Sequence, residues 1–268
     1  MKIAHRIAWL LIAATLLVCL GAGFIAPAHY ATQFREAPNA APSRAHWLGT
    51  DALGRDLFSR TLYGTRVSLL LAPAAALLST LLAGLIGGAA GYLGGMWERL
   101  AMAVTDLVLS LPWLFLLITV RAMLPLDVSP MTSIAVTFAL LGCLGWAASA
   151  RVLCAGARSL RSAEFVLQAR VSGLHGFRLF AIHVLPNLKP VLYAQFWISV
   201  PVFILSEANL GVLGLGVAEP MPSWGGLMRE LESMWSPMAE AWKLVPLLLL
   251  VIVVGSLQLL ISREEIPA

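Results

Sequence analysis

This sequence is poor in charge. Asp, Glu, Lys and Arg make up 12% of its 268 residues, against 59% hydrophobic residues. A soluble domain carries about a quarter charged residues, so there is too little polar surface here to cover a water-soluble globule. The chain also lacks a G-x-x-x-x-G-K-[S/T] run, which excludes the usual backbone cradle for nucleotide phosphates. It has no G-x-S-x-G turn to present a nucleophilic serine. Its histidines, His5, His29, His46, His175 and His183, are scattered, and Cys19, Cys143 and Cys154 have no metal-ligand spacing and form no disulfide framework. The expectation is a chain with no catalytic residue, no metal site and no bound cofactor. Segments of about ten alternating residues, the mark of a membrane β-barrel, are missing too. The net charge of +4 comes from basic residues that flank apolar runs or sit in loops, so it implies no nucleic-acid partner.

What the chain does have is long apolar runs. A helix needs roughly 20 residues to cross the hydrocarbon core of a bilayer. Such runs extend from Ile7 to Ile25, Ser68 to Ala90, Leu100 to Val120, Met131 to Ala150, Val191 to Leu215 and Leu244 to Ile261. In lipid each backbone group must be satisfied within its own segment, which selects helices. The reading is an all-α membrane protein with six transmembrane helices. Lys2 and Arg6 before the first run resemble a signal peptide, but the run is longer than the usual h-region of about 7–15 residues and reads as an uncleaved span. Pro112 predicts a kink in the third span. With the N-terminus inside, more Lys and Arg fall on the cytoplasmic side than outside, as the positive-inside rule asks.

Three stretches between or within the runs carry further expectations. After the first span, Asp51 to Tyr63 predicts an interfacial helix with Thr50 as N-cap and Gly64 as stop, showing Leu53, Leu57, Phe58 and Leu62 on one side. In the second span Gly84, Gly87, Gly88, Gly91 and Gly95 form a small-residue ladder, suited either to packing within the chain or to a subunit contact. The basic stretch from Arg151 to Pro190 is too polar to cross a membrane. Helices are expected from Ala163 to Gly173 and from Phe177 to Val184, with Leu174 and Phe177 at a glycine-marked turn that suits docking. Two acids fall inside spans, Asp106 and Glu207, and intramembrane charges are candidates for a solute path. Asp106 is shallow and is read first as a structural pair, whereas Glu207 fits a solute path and an anchor or subunit contact equally.

The stretch HWLGTDALGRDLFSRTLYGTRVSL, from His46 to Leu69, resembles the signature of the second, C-type permease of bacterial dipeptide, oligopeptide and nickel ABC importers, with Gly49, Thr50, Asp51, Gly54, Arg55, Asp56, Ser59 and Arg60 among the matches. A second block, LGVLGLGVAEPMPSWGGLM from Leu210 to Met228, is similar to the family's Leu-Gly-Leu-Gly, Pro-rich and Trp-Gly run. The cytoplasmic E-A-A-x3-G-x9-I-x-L-P motif is matched at Ala169, Gly173, Leu185 and Pro186, while Leu167, Gln168 and His183 depart from it. The chain ends at SREEIPA, where relatives commonly continue into a basic tail.

That resemblance implies a type I ABC importer permease fold with cytoplasmic coupling helices. It divides the chain into a first helix and outer segment (1–64), a permease domain (65–262) and a short cytoplasmic tail (263–268). It implies residence in the bacterial inner membrane as a multi-pass, non-catalytic subunit that forms half of a path for di- and oligopeptides. Its partners would be membrane lipid, a second permease in a heterodimer, two ATPase subunits that use ATP and Mg, and an extracytoplasmic substrate-binding protein. ATPase coupling would fall to Gln168, Ala169, Gly173, Leu174, Phe177, Leu185 and Pro186. Two other readings remain: a member of the same family that carries nickel or another small solute, and an ion-driven secondary transporter. The latter calls for an internal repeat, which is absent from the sequence.

Overall fold

A computed structural model describes residues 2–125, 128–233 and 240–264. In chain order the helices are α1 (Lys2–Leu20), α2 (Ala22–Ile25), α3 (Leu57–Ala83), α4 (Ala89–Leu93), α5 (Gly95–Ser110), α6 (Trp113–Ala122), α7 (Pro130–Leu144), α8 (Trp146–Arg161), α9 (Glu164–Val171), α10 (Gly176–Leu179), α11 (Leu185–Val212), α12 (Trp224–Glu230) and α13 (Val245–Glu264). Five-residue π turns join α3 to α4 (Gly84–Gly88) and α10 to α11 (Phe180–Val184). Among the described residues five continuous helical stretches are long and apolar enough to cross a membrane: Ile3–Leu20, Leu57–Leu93, Pro130–Arg161, Gly176–Val212 and Ala241–Ser262. The sixth expected span is a broken one. Gly95–Ser110 and Trp113–Ala122 meet at an angle of 84°, with Leu111 extended immediately before Pro112. The steric bias of a pre-proline residue away from the α region turns the expected kink into a full break.

Two boundaries differ from expectation, each for a local reason. Asp51–Tyr63 is not a separate interfacial helix. Gly54 has φ +72°, which ends any helix there, and Asp56 caps α3 by accepting from Ser59 N–H at 2.7 Å and Ser59 Oγ–H at 2.8 Å. The helix then runs through Gly64, which is no stop: its bare Cα faces Leu227, Ser223 and Pro222. The segment from Phe177 to Val184 is likewise not a free-standing helix, because α10, the π turn and α11 are continuous. α8 also reaches Arg161, so the true connection is short. The expected tail at 263–268 begins inside α13, which extends to Glu264, and 265–268 lie outside the described residues.

The chain divides into two compact units. The first comprises Met1–Ala72, Arg121–Phe138 and Pro201–Ala268; the second comprises Pro73–Val120 and Ala139–Val200. In the first, α1 and α12 both pack on α13. The second unit is organised by the glycine ladder. A Cβ on Gly87 would overlap the backbone of Ala150, and one on Gly91 would overlap that of Cys154, so α8 lies directly against the bare face of this helix. Gly84 faces Leu192, and Gly88 faces Leu188 and Phe180. For these four glycines the contact is within the chain. Below them Ala150, Leu153, Ala157, Val166, Leu179 and Leu188 form a closed apolar core.

Candidate functional site

In the first unit the two family-like blocks meet. The segment before α3 is folded by its own signature residues. Thr50 Oγ1 accepts from Ala40 N–H at 2.8 Å and donates to Ala37 O. Asp51 Oδ1 accepts from the backbone N–H of Leu53 at 2.8 Å and of Arg55 at 2.9 Å, closing an Asx turn. Gly49 and Gly54 occupy positive φ, and a Cβ on either would strike a backbone oxygen, Ala40 O or Phe34 O. Asp56 Oδ2 lies 3.0 Å from His46 Nδ1.

This frame presents two buried guanidiniums. Arg55 Nε reaches Asp51 at 2.6 Å and Arg60 pairs with the same carboxylate. Both also reach the second block: Arg55 pairs with Glu219, Arg60 Nη2 lies 3.1 Å from Glu219, and both lie beside Glu230. Burial opposes ionisation of Asp51, but the Arg55 N–H and the guanidiniums of Arg60 and Arg55 outweigh it and hold the carboxyl below its ordinary value. For Arg55, burial is again the largest influence, yet Asp51 and Glu219 raise its pKa above the ordinary value. Glu230 goes the other way: burial pushes its carboxyl up, and the opposing pull of Arg60 does not restore it. Removing Asp51 leaves the Arg55 and Arg60 guanidiniums short of their buried counter-charge, at a cost of about 3–5 kcal/mol.

The second block is itself built on glycine. α11 ends in a Schellman stop: Leu215 N–H donates to Leu210 O at 2.8 Å and Gly214 N–H to Gly211 O at 2.9 Å, with Gly214 at φ +75°. The chain then returns, and α12 lies against the end of α11 with Gly225 on Gly211, where a Cβ on either residue would overlap the other. Ser223 caps α12 through Gly226 N–H at 3.2 Å. Trp224, fully buried, donates from Nε1 to Thr65 Oγ1 at 2.9 Å and from its backbone N to Ser68 Oγ at 3.2 Å. Ser68 Oγ in turn donates to Glu207 Oε2 at 3.2 Å, and Gly225 N–H reaches the same oxygen at 3.4 Å. Glu207 is wholly enclosed in this seat.

In the second unit, α9 ends in the same device as α11. Leu174 N–H donates to Ala169 O and Gly173 N–H to Arg170 O, both at 3.1 Å, with Gly173 at φ +91°. Nothing lies within 4 Å of the place a Cβ would occupy on Gly173, so this position selects glycine by backbone angle and not by space. Ala169 is buried and Leu174 packs on the core beneath, while Gln168, Leu185 and Pro186 face outward. The turn leaves a bare apolar tip: Val171 is 89% exposed and Phe177 82%. Asp106 forms an exposed ion pair with Arg151. Among the described residues no cluster of His, Cys, Asp or Glu could hold a metal ion.

Sequence reading alone did not single out Glu219, Glu230 or Arg151. A signal was present for the acids: Arg55 and Arg60 are two cations in an apolar chain, and Glu219 lies within the other matched block with Glu230 just beyond it.

Comparison with known proteins agrees with the family resemblance. Residues 61–264 match the family described as "Binding-protein-dependent transport system inner membrane component". The chain is 33% identical over 217 residues to the dipeptide transport system permease protein DppC of Bacillus subtilis (strain 168), covering 79% of this chain and 66% of that protein. It is 34% identical over 189 residues to the oligopeptide transport system permease protein OppC of the same organism, covering 70% and 60%. It is 37% identical over 193 residues to OppC of Mycobacterium tuberculosis (strain CDC 1551 / Oshkosh), covering 70% and 64%. In each case the match spans less than two thirds of the relative's length. With its helical fold and a match over residues 61–264, this chain belongs to the binding-protein-dependent transport system inner membrane component family and has that family's type I permease fold.

Proposed function

We propose that this chain is a non-catalytic permease subunit of an ATP-driven importer, forming half of a membrane path for di- and oligopeptides. The observation that carries this reading is the similarity to dipeptide and oligopeptide permeases, 33% and 34% identical over 79% and 70% of this chain. The glycine-stopped tip at Val171–Phe177 supports it, because apolar side chains held out on a rigid turn suit a groove on another protein. In this reading the partners are a second permease, two ATPase subunits that bind ATP and Mg, and an extracytoplasmic binding protein. The N-terminus is cytoplasmic, the α9 tip faces the cytoplasm and the Arg55–Glu219 cluster faces outward. Glu207 braces the returning block instead of meeting solute, and Asp106 with Arg151 ties α5 to α8.

Proteoliposomes that contain the complete assembly provide the test. Uptake of labelled dialanine is expected to require ATP, the binding protein and this chain together. Uptake that persists without the ATPase subunits and follows an ion gradient would overturn the reading.

A further inference from the structure

The first unit encloses a cavity of about 500 Å³ whose walls carry both signs of charge. On the acidic side, Asp51, Glu219 and Glu230 are matched by Arg55 and Arg60. Lys243, also at the wall, is matched by Glu240 at 3.0 Å. Arg121 and Arg229 differ: neither has a carboxylate within ion-pair distance among the described residues, and both line the cavity. Arg121 is 1% exposed. Among the described residues its guanidinium reaches only Ser133 Oγ at 3.4 Å and Pro125 O at 3.5 Å, and its Nε has no acceptor. A guanidinium withdrawn from water without a counter-charge is strongly unfavourable, and one kept at a span end is a candidate for ligand contact.

The surrounding structure holds this arrangement in place. Ser133 Oγ accepts from Ala218 N–H at 3.0 Å and donates to Gly216 O at 3.3 Å, which fixes the loop carrying Glu219 beside Arg121. Arg229 lies over Gly214, where a Cβ would stand 3.0 Å from Nη1. The cavity lining therefore includes two guanidiniums without a carboxylate partner among the described residues, and Glu219, whose side chain is 56% exposed. Its volume falls within the range of about 300–1,000 Å³ usual for small-molecule sites.

We propose that this cavity is a subsite for a small zwitterion, with the carboxylate held between Arg121 and Arg229 and the ammonium turned towards Glu219. Resting on the peptide reading above, the ligand is a short peptide with free termini. A planar guanidinium pair recognises a carboxylate by bidentate geometry, so a peptide amide should be rejected.

The test uses the purified assembly without binding protein, with dialanine and dialanine amide as probes in equilibrium dialysis. Dialanine should bind about tenfold more tightly than its amide, the effect of one charge-assisted hydrogen bond. Arg229→Gln should erase that preference and Arg229→Lys should keep part of it. Equal binding of acid and amide by the wild type, no binding of either, or an unchanged preference in Arg229→Gln would overturn the subsite. An assembly that imports dialanine yet shows no such preference overturns the subsite alone. One that imports no peptide overturns the reading beneath it as well.

Discussion

Trp224 donates its indole N–H to Thr65 Oγ1 at 2.9 Å across 159 residues of sequence. That bond, with Ser68 and Glu207 beside it, fastens the block after α11 onto the first turns of α3. Trp224→Ala should cost about 3–5 kcal/mol, as large aromatic truncations in a packed interior do. Thr65→Val, nearly the same shape, should cost about 1–3 kcal/mol by leaving the indole N–H unsatisfied. Thermal unfolding midpoints of the purified protein in detergent would rank wild type above Thr65→Val and Thr65→Val above Trp224→Ala.

Neighbouring glycines in the same block should respond differently. A Cβ on Gly225 would stand 2.7 Å from Glu207 O and 2.8 Å from Gly211 Cα, both backbone atoms that cannot move aside. On Gly226 the nearest atom is Ser223 Oγ at 3.7 Å, an ordinary contact. Gly225→Ala should therefore sharply reduce the yield of folded protein, whereas Gly226→Ala should match wild type. Size-exclusion profiles of the two variants would separate them.

The contrast between these glycines marks what a sequence can disclose. The helices were legible because apolar runs of sufficient length have one stable form in lipid, and a kink at Pro112 was legible from proline sterics, though not the full break. The start of α3 was not, because Thr50 and Asp56 are both acceptable caps, and the choice depends on Gly54 lying against Phe34 O, a contact with a distant residue. Likewise Arg55 and Arg60 stood out as charges, but nothing local announced that Glu219 and Glu230 would meet them. The turn at Gly173 was legible as a turn; only the structure shows that backbone angle, not crowding, selects the glycine.

Glu230 and Asp51 predict opposite pH responses. The carboxyl of Glu230 is raised above its ordinary 4.5, so the carboxylate is disfavoured in the fold, and that cost is relieved as pH falls through the folded value. Asp51, held below its ordinary 3.8, contributes stability above that value and loses it as pH falls through the lower folded value. Glu230→Gln should thus be at least as stable as wild type at pH 8, with the difference shrinking as pH falls through the raised folded value. Asp51→Asn should be less stable throughout the range from pH 8 to pH 5. Unfolding midpoints at successive pH values would check both signs.

The proposed orientation puts Ala40 outside the cell and Ser162 inside. In a variant without native cysteines, a membrane-impermeant maleimide added to intact cells should label Ala40→Cys and leave Ser162→Cys unlabelled. The reverse pattern would invert the topology.

The central claim, that the turn between α9 and α10 links this permease to the ATPase subunits, is tested most directly by peptide-stimulated ATP hydrolysis in the complete assembly. Val171 and Phe177 lie at the bare tip and contribute little to the core beneath it, so Val171→Glu with Phe177→Glu should leave the chain inserted and paired with the second permease. The account predicts that stimulation by peptide and binding protein is lost in this double variant. Stimulation at the wild-type level would contradict it.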